Sequence, residues 1–358
     1  MKKAPYVSFV MWGRNDGYTP DYLVRVNRAM NCLAAQLEKA GLDSELILTE
    51  WNPVSGAPLL LEVLKVPASL KHVAIRGVIV DGRYHVRYAG SSERGIQVGE
   101  AANVGIRRAR GRFITPKASD SFLSPEVIAM LAKRNLDPDT MYRIDRHDIV
   151  IEDSALWDFD DDTLLAKMAA LPSTPQAWIQ QMAYWRLREL HTNACGDFIL
   201  LDAGYWHLLR GHQRDETVLS FDIDSLVAHA AAALGVRECR WPDDCTVYKP
   251  VHSRLNSARV VQIWAPWQRR LDRLLAEKVS SEAAHRVRTL FDYPRRKIRG
   301  IDSVSGPSIE RNFVQPASSW ASGKMPVPTQ PEDWGLANDP LEQRVLCRAD
   351  WLKEDARV

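Results

Sequence analysis

An α/β sandwich with a mostly parallel central sheet is the fold class this sequence predicts. Two observations carry the prediction. Along the first third of the chain, short β-branched and aromatic runs alternate with apolar residues at helical spacing. Breaker clusters of Gly, Asn, Asp and Pro fall where the period changes. Size agrees with both: 358 residues with 46% hydrophobic and 26% charged residues are globular proportions, and a core that large needs no disulfide staples.

The elements follow in order. Tyr6 to Met11 reads as a buried strand that ends at Gly13-Arg14-Asn15-Asp16-Gly17. Asp21 to Ala40 repeats apolar residues at helical spacing (Leu23, Val26, Met30, Leu33, Leu37), with Gly41 as its stop. Glu45 to Thr49 is a second strand, closed by Trp51-Asn52-Pro53. Strand, helix and strand in so short a stretch make a βαβ unit, which implies a right-handed crossover and parallel pairing. Pro58 to Leu64 looks helical, His72 to Val80 extended, Glu100 to Arg108 helical and Arg112 to Thr115 extended. Ser124 to Arg134 is a helix whose Ser124-Pro125-Glu126 start fits N-cap chemistry, and Met141 to Ile144 is a strand. Helices are expected over Ala155 to Leu171, Trp178 to Leu190 and Ile223 to Leu234, with strands over Phe198 to Leu201 and Cys245 to Val251. Beyond them, Gln268 to Arg299 carries ten basic residues against four acids. This stretch is read as a basic helical segment. Residues 303–340, rich in Ser, Pro and Gly, are read as an extended C-terminal arm anchored by Trp320 and Trp334.

Composition narrows the function. The 47 Lys and Arg against 45 Asp and Glu leave a net charge of +2, which argues against a dedicated nucleic-acid coat. Cys32, Cys195, Cys239, Cys245 and Cys347 form no Cys-x-x-Cys pair, so neither a zinc knuckle nor a secreted disulfide framework is indicated. Tyr6 to Trp12 is too short for a signal-peptide apolar region, and Leu226 to Val236 falls short of the roughly 20 residues of a membrane span. The expectation is a cytoplasmic protein, with 268–299 as a candidate for peripheral contact with the inner face of a membrane. No Walker loop, G-x-G-x-x-G fingerprint or G-x-S-x-G elbow is present, which disfavours kinases, dehydrogenases and hydrolases.

In parallel α/β sheets, ligands bind beyond the carboxyl ends of strands, near the point where strand order reverses. Polar residues follow three strands here: Arg14, Asn15 and Asp16 after the first, Glu50 at the end of the second, and Ser119-Asp120 after the fourth. Carboxylates at such ends suit a nucleotide's base edge and ribose hydroxyls. The competing reading is that they satisfy turns and caps.

These residues carry a resemblance. Val7 to Asn15, Glu45 to Glu50, and the string Asn103-Val104-Gly105-Ile106-Arg107-Arg108-Ala109-Arg110-Gly111 resemble the nucleotide-sugar half of GT-A glycosyltransferases of the family-two type. The resemblance implies a GT-A-like α/β/α sandwich over 1–255, with a nucleotide-sugar-binding half at 1–150 and an acceptor half at 151–255; residues 256–300 and 301–358 lie outside it. It also implies a donor site built from Arg14, Asp16, Glu50, Asn103, Arg107 and Asp120. Asp120 is the final acid of the Asp-x-Asp slot, occupied here by Ala118-Ser119-Asp120. That motif usually holds a divalent cation, Mn²⁺ or Mg²⁺, against the donor diphosphate, because such ions prefer hard oxygen ligands. With Ala118 in the first position, metal affinity should be weaker, or Lys117, Arg107 and Arg108 should partly replace the ion.

The second half continues the likeness. Asn193 to Phe198 and Trp206 to Gly211 resemble the segments that flank the acceptor region, which makes Asp197 and Trp206 candidate acceptor-binding residues. Phe221-Asp222-Ile223-Asp224 aligns with a Glu-Asp-x-Asp string in which one acid deprotonates the acceptor hydroxyl. Asp222 is that candidate base, with Asp224 and Asp215 behind it. Asp224 also fits a first-turn helix acid. His252, after the late strand, is a candidate metal ligand with Asp120. In Tyr142 to Asp148, Arg143 and Asp145 are expected on one side of a strand that reaches the site. Inverting transfer of a sugar from a nucleotide-sugar to a glycan or lipid-linked hydroxyl is the activity implied, as in polysaccharide biosynthesis. A non-catalytic GT-A-like binding or scaffold module is the alternative, supported by Ala118 and by Phe221 where the family keeps Glu.

Overall fold

A computed structural model describes residues 4–17, 19–88, 91–92, 94–176, 190, 196–212, 223–251, 315–324 and 330–355. The elements are β1 Val7–Gly13, α1 Tyr22–Lys39, β2 Ser44–Trp51, α2 Leu60–Val63, β3 Val73–Val80, α3 Gly82–His85, α4 Val98–Arg108, β4 Phe113–Pro116, β5 Phe122–Leu123, α5 Pro125–Ala132, β6 Thr140–Arg143, β7 Asp145–Ile149, α6 Asp161–Ala170, β8 Ser173–Gln176, β9 Leu201–Asp202, α7 Ala203–Leu209, α8 Ile223–Ala233, β10 Arg237–Arg240, β11 Thr246–Pro250, α9 Gln315–Ala321 and β12 Glu342–Cys347. The basic stretch 268–299 and all but Leu190 of the helix predicted over Trp178 to Leu190 lie outside the described residues.

The central sheet has the order β12-β3-β2-β1-β4-β9. Its four inner strands are parallel, and both edge strands run antiparallel to their neighbours. Near-continuous burial of β1 and β2 is what a parallel sheet covered on both faces requires. Val10, Ile47 and Val78 face a layer that includes Ile106 of α4, Leu209 of α7, Val227 of α8 and Trp320 of α9. Phe9, Met11, Leu46 and Ile75 face the opposite layer, with Met30, Leu33 and Leu37 of α1 and Val127 of α5. The result is the three-layer α/β/α sandwich with a mostly parallel sheet that the periodicity predicts.

Two glycines of the Asn103 to Gly111 string explain its spacing. A Cβ on Gly105 would lie 2.4 Å from Val10 Cγ1, so its absence lets α4 settle onto β1. A Cβ on Gly111 would lie 2.5 Å from the Ser8 backbone nitrogen, where the chain turns into β4. The most specific element of the resemblance is thus a packing signature for α4 on the sheet.

The structure departs from the sequence reading at several elements. Leu23 of the predicted α1 stripe is 37% exposed, while Arg25 is buried; the inward face runs through Tyr22, Val26, Ala29 and Leu33. Ser124 is the N-cap residue of α5 with Pro125 following it, as expected, but its side chain makes no cap bond, because its hydroxyl donates to the Asp244 carbonyl at 2.8 Å. The helix predicted over Ala155 to Leu171 divides into a 3₁₀ turn, Ser154–Asp158, and α6, since the Asp160 side chain accepts from Thr163 N–H and starts a new helix. The run Tyr142 to Asp148 is two strands, not one: Arg143 ends β6, paired with β10, and Asp145 opens β7, paired with β11 and β8. In the C-terminal region, Trp320 and Trp334 are buried in the core, α9 forms, and β12 joins the sheet edge beside β3. No helix among the described residues is long and apolar enough to cross a membrane.

Candidate active site

The chain runs outward from β1 through β2 to β3, then returns through α4 to place β4 on the other side of β1. Strand order therefore reverses between β1 and β4, and a crevice is expected beyond their carboxyl ends. Lys117 N–H donates to the Val10 carbonyl at 2.8 Å, which carries β4 alongside β1 before the turn 118–121. Tyr22, at the start of α1, spans the gap: its hydroxyl lies 3.2 Å from Ser119 Oγ, and a Cβ on Gly13 would come within 2.4 Å of it. Burial raises the Tyr22 pKa, and the carboxylates of Asp120 and Asp16 push the same way.

Asp120 stands at this switch point inside a charged cluster. Its Oδ1 receives Lys249 Nζ at 2.5 Å, and its Oδ2 lies 3.3 Å from Arg25 Nε. Asp197 accepts from Arg146 Nη1 at 2.8 Å, and Arg146 Nε lies 2.9 Å from Asp148. These groups come from α1, the β4–β5 turn, β7, the loop before β9, and β11. In the four-stranded sheet β5-β11-β7-β8, Asp148 pairs with Lys249 and Val247 with Arg146, so Arg146, Asp148 and Lys249 share one face. Arg25 also binds Asp21 Oδ1 at 2.5 Å, so with buried Lys117 the cations Arg25, Lys117, Arg146 and Lys249 stand against the carboxylates of Asp21, Asp120, Asp148 and Asp197.

The electrostatics follow from that pairing and from burial. Burial alone would raise the Asp197 carboxyl, but Lys249 and Arg146 together hold it below the ordinary carboxylate range. Burial would lower Lys249, yet Asp120 and Asp197 raise it, so its ammonium stays charged. Lys117 behaves differently. It is fully buried, its Nζ donates to the carbonyls of Ala118 at 2.9 Å and Ser121 at 2.5 Å, and burial, then Lys249, pull its pKa down to about 8. Its ammonium braces the turn that carries Asp120.

The remaining predicted donor residues divide between the two edges of the sheet. Arg14 and Asp16 lie at the β1 carboxyl end, 3.3 Å apart as an ion pair, and Arg14 also donates to the Gly95 carbonyl at 2.6 Å. Glu50 is on the same edge but fully buried. Its carboxylate accepts the N–H groups of Leu60 at 2.5 Å and Leu61 at 3.0 Å, capping α2 in place of the expected base or ribose contact. Burial raises its pKa, opposed by those two backbone bonds. Asn103, also fully buried, binds the backbone of His212 rather than facing a donor pocket. Arg107 sits at the carboxyl end of α4, so it belongs to the opposite edge of the sheet from Asp120. There its guanidinium stacks 4.9 Å above Trp334 beside a surface cavity of about 670 Å³ lined by His207, Arg210 and Asn338. Arg108 donates to the carbonyls of Gly335 and Leu336. Neither arginine can replace an ion at Asp120.

On the acceptor side, Asp197 belongs to the Asp120 cluster, whereas Trp206 does not reach a cleft. Trp206 is fully buried in the core, with its indole N–H donating to the Ile114 carbonyl at 2.8 Å. Asp224 occupies the first turn of α8 and accepts from Ser225 N–H at 3.0 Å; burial raises its pKa, opposed by backbone donors of Ser225 and Gly196. Asp145 bonds Arg240 instead of the site. Asp215, Asp222 and His252 lie outside the described residues.

The described residues do not fit a divalent ion at Asp120. No group of three or more His, Cys, Asp or Glu among them is arranged to hold a metal. Asp120 is a single carboxylate already bonded to an ammonium.

Sequence reasoning missed Arg25, Arg146 and Lys249. The signals were a lysine inside the apolar run Thr246 to Val251 and an arginine on the buried side of α1, one turn after Asp21. Charges at positions that the period sends inward need partners.

No protein-family model matches the chain, and no curated protein does. Among solved structures it is similar to S. aureus TarS 1-349, at 12% identity and a TM-score of 0.42, over 78% of this chain and 68% of that one. A longer S. aureus TarS structure gives 12% identity and a TM-score of 0.40 over 86% of this chain, which spans 46% of it. TarS 1-349 in complex with UDP-GlcNAc gives 10% identity and a TM-score of 0.41, over 78% of this chain and 69% of that one.

Proposed function

We propose that this chain is a nucleotide-sugar-dependent glycosyltransferase that moves a sugar to a hydroxyl of a glycan or lipid-linked acceptor with inversion. The observation that carries the reading is the cluster of paired charges around Asp120, with Lys249 and Arg146 more exposed than the carboxylates beneath them, at the β1/β4 reversal of strand order, where an α/β sheet binds nucleotides. In this reading the donor diphosphate lies against that cluster, with Arg14 and Asp16 beside it. Asp222 takes the acceptor hydroxyl proton as the oxygen attacks the anomeric carbon. The bond from that carbon to the diphosphate oxygen breaks in the same step, and the nucleoside diphosphate leaves as the anion. Nearby cations favour that departure by stabilising charge as it develops.

The test is release of nucleoside diphosphate from a panel of sugar nucleotides by the purified chain, alone and with glycan or lipid-linked acceptors. Turnover on none of them, together with no donor binding, refutes the reading. A non-catalytic binding module is the second reading, favoured by the commitment of Glu50 to the α2 cap. Asp222→Asn separates the two: an enzyme loses turnover and keeps donor binding, whereas a binding module is unaffected. We extend the proposal to the basic stretch 268–299 as a peripheral membrane contact, for which liposome association should fall steeply with salt.

A further inference from the structure

We infer that Lys249 and Arg146 do the work of a metal ion here, contacting the donor diphosphate directly while Asp120 and Asp197 act as positioning residues beneath them. The inference rests on the nucleotide-sugar reading and assigns the charge chemistry of that site. Exposure supplies the first argument. The Lys249 side chain is 17% exposed over an Asp120 side chain at 4%, and Arg146 is 27% exposed over Asp197 at 6%. At both pairs the cation is the member turned to solvent and the carboxylate the member withdrawn; Asp148, the other partner of Arg146 on that face, is 15% exposed, still below the arginine's 27%. An incoming diphosphate would therefore meet positive charge, as it would on a metal-loaded site.

The second argument is geometric. Lys249 and Arg146 share one face of the paired strands β7 and β11, so the two cations are fixed by a backbone ladder rather than by loops. Each is held by a carboxylate, Lys249 by Asp120 and Arg146 by Asp197 and Asp148. A charge fixed in place before the ligand arrives loses little side-chain freedom on binding. The third argument is chemical. A guanidinium offers a planar fork of donors to phosphate oxygens, and an ammonium offers a compact point charge. Lys249, Arg146 and the Arg25 behind Asp120 account for the lost acid at Ala118: a second carboxylate there would have served a dication, and the site carries cations of its own.

The experiment is calorimetric titration of the full chain with UDP, GDP, ADP, CDP and dTDP, in EDTA-treated buffer and again with Mn²⁺ added. A nucleoside diphosphate should bind in the metal-free buffer, and Mn²⁺ should not strengthen the binding. Lys249→Gln should weaken it about tenfold or more, the scale of one lost charge-assisted hydrogen bond, while Lys249→Arg retains it. Thermal melts of both variants report whether each is folded, and the EDTA comparison on the unaltered chain decides the matter if Lys249→Gln is not. Binding that EDTA abolishes and Mn²⁺ restores overturns the inference alone, as does a folded Lys249→Gln with unchanged affinity. Absence of binding to every diphosphate in either buffer overturns the donor reading, and this inference with it.

Discussion

Asn103 holds both backbone polar groups of His212: its Nδ2 donates to the carbonyl at 2.9 Å, and its Oδ1 accepts the N–H at 2.6 Å. The His212 carbonyl has a second donor in Gln330 Nε2, at 2.8 Å. Asn103→Ala removes two buried hydrogen bonds to that backbone at once and should cost about 1–3 kcal/mol. Gln330→Ala leaves the Asn103 pair intact and should cost less. Urea unfolding of the two variants checks the order, and equal losses would contradict the assignment.

Gly105→Ala tests the packing signature. In an unobstructed helix the change would gain about 1 kcal/mol of helix propensity. Here the new methyl meets Val10 Cγ1 at 2.4 Å, against a strand at the centre of the sheet. Overpacking of this kind costs about 1–3 kcal/mol, so the expected result is a net loss of stability. A gain would mean that α4 moves off β1 freely.

Lys117 should leave a mark on the pH dependence of stability. The folded chain releases its proton near pH 8, whereas an unfolded lysine keeps it to about 10.4. Between those values the unfolded state binds the extra proton, so this group makes stability rise with pH; below about 8 the burial penalty is present in full. Lys117→Met removes the titrating group. The stability difference between the native chain and this variant should climb in favour of the native chain from pH 8 to 10. Parallel profiles would show that the buried amine does not titrate as described.

Arg107→Ala checks the reassignment of that residue to the far edge of the sheet. Nucleoside diphosphate affinity should be unchanged, because Arg107 lies at the α4 carboxyl end and stacks on Trp334. Stability should fall modestly as the stacking on Trp334 is lost, by about 0.5–1 kcal/mol. A large drop in diphosphate affinity with a normal melting profile would restore Arg107 to the donor site.

The layers of the fold were legible because burial imposes period. Val7, Phe9 and Met11 alternate with Ser8 and Val10 across a sheet covered on both sides, and Val26, Met30, Leu33 and Leu37 form one helical stripe. Elements without such a stripe were invisible: β12 is half exposed at a sheet edge, and β5 is a two-residue strand held by pairing to β11. Among the site residues, Asp120 was found from its place after β4. Asn103 and Trp206 were misassigned because a motif string does not say which face of an element each residue takes.

By itself, the sequence determined the alternation of strands and helices, the parallel order that follows from βαβ connections, and the edge of the sheet where Arg14, Asp16 and Asp120 gather. Those properties are local, set by hydrophobic spacing and by the handedness of a crossover. Only the tertiary structure decided what the carboxylates face. Asp120 lies 129 positions from Lys249 in the chain yet bonds to it, and Glu50 turns to the backbone of α2. The partner of a buried charge is chosen by which distant segment the fold brings against it, and periodicity carries no record of that choice.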